Sequence, residues 1–190
     1  MSVVVAICDG ETVYMGCDTQ TTTGEYKRNN LTEANCKISK LDNGILLGIC
    51  GSVKAHQVLI SNPEIFNLPE DGILTRKHIV VNIIPKINEV LKDSLGDEKE
   101  EGQGLPVSII IAYKDKCYCV RSSLKVIRIT KFIADGAGGD YAFYNLSCEH
   151  ELVRARLLKA LRTSAVLCES VSKPFVLIDT KKLEYEIVEK

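Results

Sequence analysis

Several features that would assign a protein to a broad class are missing from these 190 residues. Lys and Arg number 24 against 25 Asp and Glu, so a net charge of −1 indicates no basic surface for nucleic acid or an acidic membrane. No apolar run approaches the roughly 18 residues that a membrane helix needs, and no signal-peptide pattern opens the sequence. We therefore expect a cytoplasmic protein with no nucleic acid partner and no membrane association.

Phosphate-binding and metal-binding motifs are also missing. Neither G-x-x-x-x-G-K-[ST] nor G-x-G-x-x-G occurs, so any ATP dependence would have to come from another chain. The eight cysteines include no C-x-x-C pair, and no neighbouring ligands complete a metal set around the C-x-C pair Cys117 and Cys119. We expect free thiols and no cofactor or metal. A thiol or metal protein is the least supported of the functional alternatives.

Apolar residues at 45% and charged residues at 26% are typical of one globular domain, here spanning residues 1–190. Periodicity and turn residues predict helices at 52–61, 75–95 with a kink at Pro85, 140–148 and 149–169. A polar segment at 19–32 predicts an exposed loop, and an acidic one at 97–104 a mobile loop. The predicted strands lie at 2–8, 12–17, 35–41, 45–50, 107–113, 117–121, 126–134, 175–179 and 184–188.

The predicted strands occur in groups separated by pairs of helices. Grouped strands favour an α+β class with antiparallel sheets over alternating β-α-β units. Two antiparallel sheets packed face to face, with helices on both outer sides, would use every predicted element. This arrangement is a four-layer α-β-β-α sandwich.

The first strand begins almost at the N-terminus, since Val3, Val4, Val5 and Ile7 follow Ser2 directly. Excision of an initiator Met requires a small second residue, so the mature chain can start at Ser2. Its α-amine would then have an ordinary pKa of about 7.7–8.0, and Ser2 would carry a nucleophile and a general base together. The alternative is that Met-Ser is simply a common way for a protein to begin.

Four further motifs support the catalytic interpretation, in the order Gly16–Gln20 (GCDTQ), Cys36–Leu41 (CKISKL), Gly48–Ser52 (GICGS) and Gly136–Ala142 (GAGGDYA). Together with the Ser2 start, they resemble the proteasome β-subunit and HslV-like family of N-terminal nucleophile (Ntn) hydrolases. That family has the four-layer sandwich. The resemblance implies a peptidase whose Ser2 attacks a peptide carbonyl and forms an acyl-enzyme.

The resemblance assigns roles by position. Ser2 takes the place of the nucleophile, which is Thr in most members, and Lys37 that of the catalytic lysine, with Asp18 as its partner. The oxyanion donor is implied to be the backbone N–H of Gly51, at a strand-to-helix junction that offers unpaired N–H groups. Without the resemblance, Asp18 and Lys37 would be better interpreted as a solvated, partly exposed ion pair at a sheet edge.

The same comparison implies further site residues and two departures. Glu169 and Ser172 take the places of an acidic residue, usually Asp, and a serine in the family's catalytic network. Ile49 and Val53 take substrate-binding positions and predict an apolar residue on the acyl side of the cleaved bond. Ala137 replaces a serine beside the nucleophile, which removes one hydroxyl from the proton network.

The family also implies partners. We expect a peptide or unfolded-protein substrate, a homo-oligomeric ring that encloses the active sites, and a separate ATPase unfoldase as a possible partner. The alternative function is a catalytically weak or inactive ring subunit that keeps the fold for assembly. Ser2, Asp18, Lys37 and Gly51 together favour the enzyme, because a structural subunit gains nothing from that set.

Overall fold

The computed structural model describes residues 2–23, 26–28, 36–95, 104–148 and 151–189. Met1 and most of the acidic segment predicted as a mobile loop lie outside these residues. The strands are β1 (Val4–Cys8), β2 (Val13–Asp18), β3 (Thr21–Thr23), β4 (Tyr26–Arg28), β5 (Ile38–Lys40), β6 (Leu46–Gly51), β7 (Val107–Tyr113), β8 (Lys116–Val120), β9 (Val126–Ile129), β10 (Phe132–Asp135), β11 (Phe175–Asp179) and β12 (Glu186–Val188).

The helices are α1 (Val53–Ile60), α2 (Arg76–His78), α3 (Ile84–Leu95), α4 (Gly139–Leu146) and α5 (Val153–Leu167). A 3₁₀ turn follows α1 at Pro63–Phe66. A π-helical segment at Ile79–Ile83 joins α2 to α3. None of the helices in the described residues combines the length and the apolar character needed to cross a membrane.

The strands form two antiparallel sheets and a short ribbon. Sheet I has the order β10-β1-β2-β11-β12, and sheet II has the order β5-β6-β7-β8-β9. The ribbon pairs β3 with β4. The first hairpin is closed as predicted, with Val4 opposite Cys17 and Cys8 opposite Val13 around a turn at Asp9 and Gly10.

Side-chain alternation along β1 shows how the layers stack. Val5 and Ile7 pack against α4 and α5 on one face of sheet I, whereas Val4 and Ala6 point to the other face. That second face packs on sheet II and forms an apolar core between the sheets. The opposite face of sheet II is covered by α1 and α3. The molecule is thus the predicted four-layer α-β-β-α sandwich.

The strand predicted over residues 126–134 is instead two strands in different sheets. β9 pairs with β8 in sheet II, and β10 pairs with β1 in sheet I. The chain bends at Thr130 and Lys131, and the Lys131 carbonyl already accepts a hydrogen bond from Cys8 at 2.7 Å. In the sequence, residues 126–134 form one β-rich run because the bend contains neither Gly nor Pro.

The predicted kink at Pro85 takes the form of the π-helical segment just before it. The Ile84 N–H reaches back five residues to the Ile79 carbonyl. Proline has no N–H and its ring crowds the preceding turn, so a wider turn ahead of it relieves both effects. The helix thereby continues to Leu95 as predicted.

The segment predicted as an exposed loop at 19–32 begins inside the protein. Thr19 and Gln20 are buried, and β3 and β4 follow them. The Thr19 hydroxyl donates to the Pro174 carbonyl at 2.8 Å, and the Gln20 side chain donates to the Glu169 carbonyl at 3.0 Å. These bonds satisfy polar groups that a composition-based argument places in solvent.

Candidate active site

The N-terminal end of β1 is fixed inside the protein. Ser2 is 5% exposed and Val3 is fully buried. The Val3 N–H donates to Asp18 Oδ1 at 2.9 Å, and the Asp18 N–H donates to the Val3 carbonyl at 3.3 Å. Ser2 is therefore placed beside the end of β2, where Asp18 lies.

Asp18 and Lys37 form an ion pair, with 2.5 Å between Nζ and Oδ1. The other carboxylate oxygen accepts the Gln20 N–H at 3.1 Å. Burial raises the pKa of Asp18, while the charge of Lys37 and the amide groups of Val3 and Gln20 act in the opposite direction. One oxygen, Oδ1, thus contacts both the Val3 amide beside Ser2 and the lysine.

This pair is not the solvated ion pair that the residues alone suggested. Asp18 has no exposed surface, and Lys37 is 7% exposed. Lys37 precedes β5, and its ammonium reaches Asp18 at the end of β2, which has no exposed surface. Within the described part of the chain, no further group hydrogen-bonds the ammonium. A buried cation with a single partner retains N–H groups that can act on a bound substrate or nucleophile.

Gly51 ends β6 at the junction with α1. Its φ of +125° lies in the region that favours glycine, and a Cβ there would come within 2.4 Å of the Pro106 carbonyl oxygen. Ser52 caps α1 by accepting the Ala55 N–H at 3.3 Å, and its own N–H donates to Pro106 at 3.1 Å. The predicted oxyanion position is therefore at a fixed, tightly packed helix N-terminus.

The glycine-rich turn after β10 packs directly on Ser2. The Gly138 N–H donates to the Ser2 carbonyl at 3.1 Å. Gly136 has a φ of +90°, and a Cβ there would lie 2.4 Å from the same carbonyl oxygen. Ala137, between them, is exposed and brings no hydroxyl to the site. The turn therefore fixes the main chain of Ser2 through glycine and backbone contacts.

Glu169 and Ser172 lie next to the segment that follows Asp18. The Glu169 carbonyl accepts the Gln20 side-chain bond at 3.0 Å, and the Ser172 carbonyl accepts the Thr19 N–H at 3.5 Å. Glu169 itself is an exposed residue. The backbone contacts bring this segment to the site, and the catalytic roles of the two side chains stay predictions.

The two predicted substrate-binding residues differ in environment. Ile49 is buried on the helix-facing side of β6, where its N–H donates to the Lys37 carbonyl at 2.9 Å. Val53 opens α1 and is 50% exposed. Their role in substrate binding stays a prediction, although Ile49 is linked to Lys37 through the backbone.

Two polar side chains near Lys37 escaped the sequence argument. Ser39 Oγ lies 3.3 Å from Nε2 of His56, which belongs to α1. Burial lowers the pKa of His56, and the charge of Lys37 lowers it further. Ser39 lies two residues after Lys37, so strand alternation could have placed it on the same face. Nothing in the sequence pairs it with a helix residue seventeen positions on.

Cys50 is a further residue of the site that the sequence did not single out. Its sulfur would lie 3.0 Å from a Cβ at Gly136, so it packs beside the turn that contacts Ser2. Burial raises the pKa of the Cys50 thiol, and the charge of Asp135 adds to this effect. The thiol therefore stays protonated and packs as a small apolar side chain beside the site.

Comparison with known proteins gives structural matches. No protein-family model matches the sequence, and no curated protein matches it significantly. BPH of Thiobacillus denitrificans is 20% identical over 97% of this chain and 99% of its own, with a TM-score of 0.73. Eukaryotic HslV from Trypanosoma brucei is 14% identical over 93% and 98%, with a TM-score of 0.64. Anbu (ancestral beta-subunit) from Yersinia bercovieri is 10% identical over 99% and 87%, with a TM-score of 0.70.

These alignments run over almost the full length of each protein, so the likeness concerns the whole sandwich and not a shared supersecondary unit. At identities of 10–20%, this structural likeness establishes the fold alone. The fold resemblance predicted from the motifs is confirmed, and the chain has the proteasome-like N-terminal nucleophile hydrolase fold.

Proposed function

We propose that the protein is a peptidase in which Ser2, exposed as the N-terminal residue after loss of Met1, is both nucleophile and base. The observation that carries this proposal is the shared Asp18 oxygen, which contacts the amide next to Ser2 at 2.9 Å and the Lys37 ammonium at 2.5 Å. A buried ion pair of this kind is a weak source of stability. Its position at the N-terminus supports a catalytic role.

In the proposed reaction, the Ser2 α-amine accepts the hydroxyl proton as Oγ attacks the substrate carbonyl carbon. The positive charge of Lys37 favours the neutral amine before the proton moves and stabilises the developing alkoxide. Asp18 holds that charge in place. The negative charge on the carbonyl oxygen is met by the backbone N–H of Gly51 at the N-terminus of α1.

The peptide C–N bond then breaks, and the α-ammonium returns its proton to the leaving amine. An ester between Ser2 Oγ and the acyl part of the substrate remains. Water, deprotonated by the same α-amine, attacks the ester and releases the acid, which restores the Ser2 hydroxyl. The contacts of Gly136 and Gly138 with the Ser2 carbonyl hold the residue in one position through both steps.

The assembly and substrate follow the same similarity. We propose a homo-oligomeric ring, a peptide or unfolded-protein substrate and a cytoplasmic location, with an ATPase unfoldase as a possible separate partner. The fold that this chain shares with HslV supports these proposals. Exposed apolar side chains on α4 and α5, among them Tyr144 and Val166, offer surface for contacts between copies.

The decisive experiment measures the N-terminus and the activity of one preparation. Intact mass should show the chain beginning at Ser2, and a peptide with an apolar residue before the cleaved bond should be hydrolysed. Ser2→Ala should abolish hydrolysis while the native mass of the assembly is unchanged. Epoxomicin, which is bound to BPH in one of the similar structures, should inhibit the wild type.

A different outcome would favour the inactive ring subunit. Retention of Met1 in an inactive but correctly assembled protein would support it, because Ser2 would then have an amide nitrogen that cannot accept a proton. The exposed Ala137, where the family has serine, is the observation that favours this alternative. Full activity with Met1 in place would contradict the proposed mechanism.

A further inference from the structure

Two cysteines lie directly behind the Asp18–Lys37 ion pair. Cys17 precedes Asp18 in β2, and Cys36 precedes Lys37. Both are buried in the apolar core between the sheets, and their sulfur atoms are 3.9 Å apart in a thiol–thiol contact. The two thiols are therefore adjacent across the sheets and one peptide bond from each charged residue.

We propose that Cys17 and Cys36 form a reversible intramolecular disulfide when the protein meets a peroxide, and that this bond switches the site off. The formation of the bond depends only on the thiol pair. The effect on hydrolysis rests on the function proposed above.

The two thiols differ in a way that suits such chemistry. The hydrogen bond from Cys17 lowers the pKa of the Cys36 thiol, and the Ile38 N–H and the Lys37 charge also lower it. Burial raises the pKa of Cys17. Cys36 is thus the thiol that becomes the nucleophilic thiolate, and Cys17 is the one that resolves the oxidised intermediate.

The reaction balances with peroxide as the oxidant. The Cys36 thiolate attacks one peroxide oxygen, an S–O bond forms and the O–O bond breaks. Hydroxide leaves and becomes water with the proton that the Cys36 thiol released. The Cys17 sulfur then attacks the Cys36 sulfenic acid, an S–S bond forms, and the oxygen leaves as water with the Cys17 proton. Two thiols are oxidised and hydrogen peroxide is reduced to two waters. Thiol reductants reverse the bond by exchange.

We expect bond formation to move the charged neighbours. A disulfide requires a sulfur separation of about 2.05 Å, so the sulfurs must approach each other from 3.9 Å. Cys17 is joined to Asp18 and Cys36 to Lys37, whose contact is 2.5 Å. A displacement of about 1 Å at a catalytic group costs roughly 100-fold in rate, so we expect a loss of about that size.

The experiment treats the reduced, fully assembled protein with hydrogen peroxide and measures two quantities. Peptide mapping without reductant should find one crosslinked pair of peptides that contains Cys17 and Cys36 and has lost two hydrogen atoms. Hydrolysis should fall with the same time course, and dithiothreitol should restore it. Cys36→Ser and Cys17→Ala should remove the crosslink and leave hydrolysis resistant to peroxide.

The chain offers a matched control in a second cysteine pair, with Cys8 at the end of β1 and Cys117 in β8. Both pack in the core between the sheets, where the Cys8 thiol donates to the Ile129 carbonyl at 3.6 Å, and neither is next to Asp18 or Lys37 in the chain. Cys8→Ser should retain both the crosslink between Cys17 and Cys36 and the loss of hydrolysis.

Absence of that crosslink in oxidised wild type would overturn the proposed site. A crosslink with unchanged hydrolysis would overturn its regulatory effect. If the reduced protein hydrolyses no peptide, the proposed function fails, whereas the mapping still decides the disulfide.

Discussion

Two aspartates at opposite ends of the first hairpin show how differently one residue type is used. Asp9, in the turn between β1 and β2, accepts the N–H groups of Glu11 at 2.9 Å and Thr12 at 2.8 Å. Asp18, at the far end of β2, also accepts two N–H groups. Asp9 is exposed, whereas Asp18 is fully buried and paired with Lys37.

Because the two aspartates differ in solvent access, their pKa values are shifted in opposite directions. Slight desolvation of Asp9 is outweighed by the amide groups of Glu11 and Thr12, so its pKa is lowered. At Asp18, burial dominates and the pKa is raised, despite Lys37. Asp9 thus stabilises a turn at a small desolvation cost. The charged form of Asp18, in contrast, carries a large desolvation cost. A carboxylate in that position is better explained by chemistry than by stability.

Asp18→Ala should have the largest effect. It leaves Lys37 as an uncompensated buried charge, which costs about 3–5 kcal/mol in the free energy of unfolding, and hydrolysis should fall by orders of magnitude. Asp9→Ala, the matched control, removes two exposed hydrogen bonds at about 0.5–1.5 kcal/mol each and should leave hydrolysis unchanged. Denaturant unfolding and peptide turnover measure the two effects. Equal losses of stability in the two variants would remove the distinction between the aspartates.

Lys37→Met should separate stability from activity. Asp18 keeps its two amide donors and can take up a proton, so the destabilisation should be smaller than in Asp18→Ala. The double variant Lys37→Met with Asp18→Asn removes both charges, but the new amide can accept only one of the two N–H groups of Val3 and Gln20, so its stability should lie between those of the wild type and Asp18→Ala. Both variants should be inactive. Substantial hydrolysis by either folded variant would show that the lysine is structural.

His56→Gln should give the smallest effect, visible as a change in pH dependence. The pKa of His56 in the folded protein lies below the unfolded value of about 6.5, so the unfolded chain binds more protons between the two values. Stability is therefore fully present above about pH 6.5 and declines as the pH falls towards the folded pKa.

Unfolding measured at several pH values should show that His56→Gln removes this part of the slope. His78→Gln, a change away from Lys37, should retain it. A slope that disappears in both variants, or in neither, would contradict the assignment to His56.

The sandwich was predictable because its signals are local or repeated. The Asp9-Gly10 turn, the alternation along β1 and the apolar face of α5 each follow from neighbouring residues. The split between β9 and β10 was not predictable, since Thr130 and Lys131 carry no turn chemistry and the change of sheet depends on partners far along the chain.

The features of the candidate site were likewise hard to predict where they depend on residues that are distant in the sequence. Asp18 and Lys37 could be proposed as partners only through the family resemblance, because Asp18 ends β2 of sheet I and Lys37 immediately precedes β5 of sheet II. Their burial, and that of Thr19 and Gln20, contradicts what polar composition suggests. The contact between Cys17 and Cys36 has no sequence signal at all, since a spacing of nineteen residues matches no redox motif.

The hydrogen bond that fixes the Val3 amide also sets an order of events in time. An aminopeptidase must hold an extended N-terminus, but Ser2 is 5% exposed and Val3 is fully buried in the folded chain. The proposed mechanism therefore requires that Met1 is removed while β1 is still unpaired, during synthesis or before the two sheets close. A chain that folds first would keep its methionine for as long as β1 stays in the sheet. Under the proposed function, the fraction of active chains would therefore depend on the rate of methionine excision relative to the rate of folding.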